Sequence, residues 1–237
     1  MSDLRKYHDK PVKAVFTQLK SSLDKGLNSD RISDLQQIHG RNILSEGKKT
    51  SIFSILIKQI HNPLTYLLLS VVAVSLATQH TLDAVIVSIL IVINTIIGFY
   101  LEFTAVKKSE AIRKMIKKKA VVIRDGEELI IDIAELVPGD VVLLKEGNRV
   151  PADLRIAQEY NLMVDEAALT GESLPVEKQK KAVSTDTVLA ERKSMLYAGT
   201  SVVTGNAKAV VVAIGDETQL GKISKSLTEI EQEKSLY

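Results

Sequence analysis

Asp165-Glu-Ala-Ala-Leu-Thr-Gly-Glu-Ser-Leu-Pro-Val-Glu-Lys178 sets one carboxylate, Glu172, on a tight polar turn. Gly171 has no Cβ, so the backbone beside that carboxylate can come close to another surface. Thr170 and Ser173 supply hydroxyls able to fix the turn or a water. A carboxylate presented in this way suits in-line hydrolysis of a phosphorylated group, where it orients the attacking water or takes its proton. Thr-Gly-Glu-Ser taken alone reads as a solvated surface turn, so the decision rests on its surroundings.

Around this stretch the apolar period is that of strands. Val121–Ile123 and Leu129–Ile131 flank Asp125-Gly126, a hairpin signal. Val141–Leu144 follows Val137-Pro138-Gly139-Asp140, where proline and then glycine suit a type II turn. Further strands are expected at Leu154–Ala157, Leu196–Val203 and Ala207–Ile214, with Gly199, Gly205 and Gly215 as punctuation and Ser184–Arg192 as a polar loop. Many short strands between glycine and proline turns predict a compact β domain of jelly-roll type. Pro138, Gly139, Asp140, Pro151 and Asp153 read as turn formers.

Upstream lie two apolar segments. Ala84–Leu101 is an uncharged run rich in Ile and Val, near the lower length limit for crossing a hydrocarbon core of about 30 Å. Ile52–Ile60 is interrupted by Lys58, which can snorkel, and after His61-Asn62-Pro63 comes uncharged Leu64–Ala77. Asn62 as cap and Pro63 at the first helical position restart a helix there. Thr78–Asp83 carries no Lys or Arg, whereas Lys48, Lys49 and Lys58 precede the first span and Lys107, Lys108, Arg113 and Lys114 follow the second. The basic flanks predict a membrane hairpin with both ends cytoplasmic. Lys107–Lys119 has helical spacing, with Ala105, Ala111, Ile112, Met115 and Ile116 free to pack. That run reads as a solvated helix face or as a contact for anionic lipid headgroups.

Met1–Thr50 reads as a small helical cap. Val12–Leu23 is expected to be helical, with Val15, Phe16 and Leu19 on one face and Gly26 ending it. Asn28 or Ser29 caps a second helix carrying Ile32, Leu35 and Ile38, stopped near Gly40. Helices this short bury little alone, so they are expected to dock on the later β domain.

Composition excludes several classes. A net charge of +2 from 31 basic and 29 acidic residues makes no case for nucleic acid. With no cysteine there are no disulfides, thiolate metal sites or thiol nucleophiles. His8, His39, His61 and His80 lack ligand-like spacing, so no metal site is expected. Gly215–Lys222 fails as a phosphate loop: five residues rather than four separate Gly215 from Gly221, and Ile223 stands where Ser or Thr would bind magnesium. There is no Gly-x-Gly-x-x-Gly run and no serine or cysteine triad.

Val137–Asp140, Val150-Pro151-Ala152-Asp153 and Met195-Leu-Tyr-Ala-Gly-Thr200, bracketing the opening stretch and following two apolar segments, strongly resemble the actuator region of a P-type cation-transporting ATPase. The wording from Ala168 to Lys178 looks most like the type II pumps, the calcium pumps and their relatives. The resemblance runs from about Tyr7 to Leu227. It implies an α+β membrane protein: a helical N-terminal segment over 1–50, a transmembrane hairpin over 51–103 with spans at about 52–77 and 84–101, a jelly-roll-like actuator domain over 104–225, and the start of a linker to a third span over 226–237.

The resemblance further implies that Glu172 promotes dephosphorylation of an aspartyl phosphate in another domain, with Thr170, Gly171 and Ser173 shaping its loop. The actuator then rotates between transport states and pulls on the first spans. Membrane lipid, the remaining pump domains and a transported cation are the implied partners, and ATP and Mg2+ the implied cofactors of the complete pump. The family's phosphoacceptor sequence, Asp-Lys-Thr-Gly-Thr, does not occur in these 237 residues, so the nucleotide-binding and phosphorylation domains are expected to be missing and the chain alone inactive. Two departures bear on the ion. His61-Asn62 stands where reticulum-type calcium pumps carry acidic residues, so no calcium-specific gating contact is implied, and the lack of cysteine argues against the soft-metal pumps. A stand-alone, non-catalytic membrane-anchored regulatory module and an inactive gene remnant are the alternative readings.

Overall fold

The computed structural model describes residues 7–44, 52–115, 118–172 and 174–234, and the chain divides into two compact units, residues 1–45 with 118–237, and residues 46–117.

The first unit is built on seven strands: β1 (Lys119–Arg124), β2 (Glu127–Asp132), β3 (Val141–Lys145), β4 (Asp153–Asp165), β5 (Val176–Glu177), β6 (Met195–Leu196) and β7 (Ser201–Ala213). They form an antiparallel sheet in the order β2-β1-β3-β7-β4-β5, with β6 also on β4. Local chemistry sets its corners. Asp125 and Gly126 both hold positive φ, 50° and 85°, which is the type I′ geometry whose twist matches the β1–β2 hairpin. At Val137–Asp140 the Asp140 N–H donates to Val137 O at 3.1 Å across Gly139 at φ 103°, the type II turn that Pro-Gly predicts. Asp140 also receives Arg124 Nη2 at 2.7 Å and Nε at 2.8 Å in a bidentate pair, fixing that turn to β1.

Two expectations require correction. The strands read at Leu196–Val203 and Ala207–Ile214 are instead the two-residue β6 and a 13-residue β7 that runs unbroken through Gly205. Gly205 does not end the strand. At φ +80° it lets β4 approach so closely that a Cβ would lie 2.3 Å from the carbonyl oxygens of Tyr160 and Asn161. The register of β4 on β7 shifts beside it, between Tyr160 and Met163, so a bulge absorbs what a sequence pattern reads as a break.

The second correction concerns the first helix. α1 spans Val12–Leu19 and not Val12–Leu23, because Lys20 turns left-handed at φ 50° and its N–H closes the helix onto Phe16 O and Thr17 O. Gly26 serves another purpose: at φ +69° its α-carbon faces β1 so closely that a Cβ would lie 1.8 Å from Ile123 O. α2 (Ile32–His39) follows a turn in which Asn28 accepts Asp30 N–H at 2.8 Å, and it ends at Gly40 as predicted.

Period-2 burial gives the sheet two apolar faces. Val142, Leu144, Leu154, Ile156, Leu162 and Val164 belong to one buried cluster. Ile123, Val141, Ala157 and Val210 form the other with Tyr7, Val15 and Phe16, so α1 covers the face that would otherwise meet water. Burying side chains of this size stabilises by about 1.5–3 kcal/mol each. Asn42 pins the chain after α2: its Nδ2 donates to Ile133 O at 2.9 Å and Pro151 O at 3.0 Å, while its Oδ1 accepts Gly215 N–H at 2.8 Å. α7 (Gln219–Lys234) closes the unit.

The second unit contains α3 (Ile52–Ile60), α4 (Pro63–Ala77) and α5 (Thr81–Met115), with both α3 and α4 packed on α5. Asn62 Oδ1 accepts Leu64 N–H at 3.0 Å with Pro63 at the first helical position, as the sequence predicts. Thr81–Lys108 is one helix long and apolar enough to cross a membrane, with a mean hydropathy of 2.5 and only 6 % of its apolar window buried. Ser88 and Thr95 return their hydroxyls to Ala84 O and Ile91 O, both at 2.8 Å, and so satisfy themselves within the helix. α4, at 15 residues, spans about 22 Å, short of the ~30 Å hydrocarbon core. Lys48, Lys49 and Ile116, and the side chains of Lys58, Ala111, Ile112, Arg113, Lys114 and Met115, lie outside the described residues.

Candidate functional site

β4 and β5 are two arms of one hairpin, paired Met163 to Glu177 and Val164 to Val176, and residues 166–175 form its tip. The tip opens with a single helical turn, α6 (Ala167–Thr170), whose start is marked by Ala167 N–H donating to Asp165 Oδ1 at 2.9 Å. Gly171 ends it in the left-handed region at φ 75°, its N–H donating to Ala167 O at 2.9 Å. Among the described residues nothing lies within 4 Å of where a Cβ on Gly171 would stand, so the glycine is needed for its φ.

Thr170 ties the turn together. Its hydroxyl donates to Glu166 O at 3.1 Å and accepts Glu172 N–H at 3.3 Å. Of the two roles its chemistry allows, this one fixes the turn. Glu172 is exposed immediately beyond, and Leu174, 79 % exposed, continues the tip. Ser173, the fourth residue of the predicted site, lies outside the described residues. The geometry thus brings Thr170, Gly171 and Glu172 together in one short turn with Glu172 exposed. Such an arrangement can present a base or a water to a partner surface while the backbone behind it stays fixed.

Beneath the tip lies a pair that the sequence pattern did not single out for function. Lys178 Nζ stands 2.6 Å from Glu166 Oε1, and both side chains are essentially inaccessible. Burial pushes the Glu166 carboxyl up and the Lys178 ammonium down, each opposed by the partner's charge. The Tyr197 ring faces the ammonium at 5.6 Å, and burial raises its phenol as well. A signal existed: Leu174, Val176 and Lys178 share strand parity, which puts the lysine on the same face as half-buried Val176.

Arg155 was also missed. Fully buried in β4, its guanidinium donates to the carbonyls of Tyr7 (3.0 Å), Lys10 (3.0 Å), Lys180 (2.9 Å), Ser194 (3.2 Å) and Ile156 (2.7 Å), and burial lowers its pKa to about 10. It fastens the segment from Tyr7 to Lys10 and the segment that follows β5 to the same point in the sheet.

Comparison with known proteins agrees with this architecture. The family described as P-type ATPase actuator domain matches residues 114–228, and the family described as cation transporter/ATPase, N-terminus, matches residues 7–75. A probable cation-transporting ATPase F of Mycobacterium tuberculosis is 37 % identical over 219 residues, 92 % of this chain and 24 % of that protein. A cation-transporting ATPase of Synechocystis is 36 % identical over 221 residues, 93 % of this chain and 24 % of that protein. Calcium-transporting ATPase 1 of Lactococcus lactis is 34 % identical over 228 residues, 96 % of this chain and 26 % of that protein. The chain therefore spans about a quarter of the length of the curated relatives it matches. With these two family matches and relatives 34–37 % identical over more than nine-tenths of its length, the chain belongs to the P-type cation-transporting ATPases and carries their N-terminal segment and actuator domain.

Proposed function

We propose that this chain supplies the N-terminal cap, the first membrane hairpin and the actuator of a type II pump that couples ATP hydrolysis to cation transport. Within it, Glu172 promotes hydrolysis of an aspartyl phosphate carried by another part of the pump. The observation that carries this reading is the exposed Glu172 carboxylate on a turn fixed by Thr170 and by Gly171 at φ 75°. In the step proposed, a water oxygen attacks phosphorus in line, the bond from phosphorus to the aspartyl oxygen breaks, and Glu172 takes the water's proton, releasing inorganic phosphate and a free aspartate. Thr170, Gly171 and Ser173 hold the loop in shape for that approach.

The apolar segments at about 52–77 and 84–101 form the membrane hairpin in this reading, with the N-terminus and the actuator on the cytoplasmic side. Lipid, the transported cation and the remaining pump domains are its partners, and the domain limits are 1–50, 51–103, 104–225 and 226–237. ATP and Mg2+ are assigned to the rest of the pump, and no step here runs through them. On its own the chain then neither hydrolyses ATP nor forms a phosphoenzyme.

Glu172→Gln tests the reading in the pump restored with its other domains, covalently or as a second chain. Removing a positioned base costs about 10²–10⁴ in rate and leaves steps that do not use it nearly untouched. Phosphorylation by γ-labelled ATP should persist while phosphoenzyme decay slows and the intermediate accumulates. Decay at the parental rate would return the turn to a plain surface loop.

A further inference from the structure

We infer that Glu166 and Lys178 form a positioning clasp that holds the Thr170–Glu172 turn in the geometry needed for phosphoenzyme hydrolysis. The inference rests on the reading of Glu172 given above. The two residues flank the tip of the hairpin: Glu166 is the first residue beyond β4 and Lys178 the first beyond β5. Lys178 N–H donates to Leu162 O at 2.9 Å, so the lysine main chain belongs to the sheet. Its ammonium, 2.6 Å from Glu166 Oε1, reaches from there to the residue on which the turn is built.

The connection from that pair to Glu172 is continuous. Glu166 O accepts Leu169 N–H at 2.8 Å, Thr170 N–H at 3.0 Å and the Thr170 hydroxyl at 3.1 Å. The Thr170 hydroxyl in turn accepts Glu172 N–H at 3.3 Å. Each link fixes the next, from sheet to ammonium to carboxylate, then through the Glu166 carbonyl and the threonine hydroxyl to the main chain of Glu172. Leu174 and Pro175, beyond it, are exposed, while Leu169 before it packs against the buried cluster that includes Tyr197.

Stability alone does not account for such a pair. A buried ion pair is often no better than apolar side chains of the same volume, because desolvation offsets the attraction. Among the described residues the Glu166 carboxylate and the Lys178 ammonium make no hydrogen bond, so their contact is a charge pair that draws little compensation from elsewhere. What an ion pair supplies and an apolar contact does not is a fixed anchor: one carboxylate held by charge at 2.6 Å from one ammonium. A displacement of about 1 Å at a reacting group can cost about 10²-fold in rate, so a fixed anchor is what the site needs.

The test replaces the pair by uncharged side chains of similar size, Glu166→Gln with Lys178→Met, and separately Glu166→Leu with Lys178→Met. Either double variant suffices once its unfolding midpoint reaches the parental value. In the 237-residue chain, amide exchange at Thr170, Gly171 and Glu172 should accelerate about tenfold or more while exchange in β4 and β7 stays at the parental rate. In the restored pump, phosphoenzyme formation should be unchanged and decay about tenfold or more slower. A double variant with parental stability, parental exchange at the turn and parental decay overturns the clasp and leaves a merely structural pair. Glu172→Gln is run beside it. If that variant decays at the parental rate, the catalytic reading falls, and the clasp is then judged on exchange alone: acceleration sustains it and parental exchange overturns it.

Discussion

Asp153 Oδ2 accepts the backbone N–H of Gln219, the first residue of α7, at 2.8 Å, while its Oδ1 accepts Ala198 N–H at 2.9 Å. One side chain thereby joins the start of β4, the turn between β6 and β7, and the N-terminus of the last helix. A carboxylate there complements both orphan N–H groups and the helix dipole. Burial nonetheless outweighs those hydrogen bonds and the attraction of Lys222, and pushes Asp153 up to about 6.

The direction of the shift fixes the pH dependence. A folded-state pKa above the ordinary 3.8 means that the folded chain binds this proton more tightly than the unfolded chain. Stability contributed by Asp153 is therefore greatest below about pH 4, falls as pH rises toward 6, and is lower by about 3 kcal/mol above that. Asp153→Asn cannot titrate, and it offers one acceptor where two N–H groups need one each. Its penalty relative to the parent should be larger at pH 4.5 than at pH 7.5 by about 2 kcal/mol, read from unfolding midpoints of the detergent-solubilised chain. Equal penalties at both pH values would contradict the burial of this charge.

Gly26 and Gly171 hold similar left-handed φ, +69° and +75°, yet differ in what surrounds them. A methyl group on Gly26 meets the β1 backbone, whereas one on Gly171 meets none of the described residues within 4 Å. Gly171→Ala should cost about 1–2 kcal/mol, the conformational strain alone. Gly26→Ala adds a main-chain clash that no side-chain rotation relieves, so it should cost more than 3 kcal/mol or lift the segment before α2 off the sheet. Thermal unfolding with limited trypsin digestion at Lys20 and Lys25 separates the two, and a larger loss in Gly171→Ala would be inconsistent with this packing.

What the sequence made legible was local chemistry. Asp125-Gly126, Val137–Asp140 and Asn62-Pro63 each carry their geometry in two to four adjacent residues, and the structure reproduces all three. The polar turn that carries Glu172 was legible from its residue types, and the structure adds that Thr170 spends its hydroxyl on that turn. Gly205 misled because its positive φ serves a close approach between β4 and β7, a relation with no local signature. Arg155 was invisible for the same reason: its bond to Tyr7 O spans 148 positions, and an arginine in an apolar strand pattern does not announce its acceptors.

Arg155 yields a prediction of its own. Its planar fork reaches five carbonyls, and no lysine can match that geometry. Arg155→Lys should lose about 3 kcal/mol or more because several buried carbonyls are left without donors. The loss should appear first as protease access to residues 7–11 and to the segment around Lys180, both of which the guanidinium ties down. A variant as stable and as protected as the parent would show that water or the backbone satisfies those oxygens unaided.

The proposed membrane hairpin yields the last prediction. Thr81–Lys108 exposes nearly all of its apolar window, and exposed Ile86, Ile89, Ile93 and Ile97 make a surface that water would oppose at about 25 cal/mol per Å². α4 is shorter, but Asn62 and Pro63 start it cleanly and the connection from Thr78 to His80 to α5 is tight, as the proposed hairpin requires. The Lys and Arg residues flank the apolar segments and are absent from Thr78–Asp83, so the proposal places both ends toward the cytoplasm. The chain has no cysteine, so single cysteines at Ser2, Gln79 and Thr228 give a signal without background. In intact cells an impermeant thiol reagent should label the Gln79 position and spare the other two until the membrane is opened. Labelling at Thr228 but not at Ser2 would mean that only one apolar segment crosses, with α4 lying in the interface. Labelling at Ser2 and Thr228 with Gln79 protected would invert the hairpin and place Glu172 on the side away from ATP.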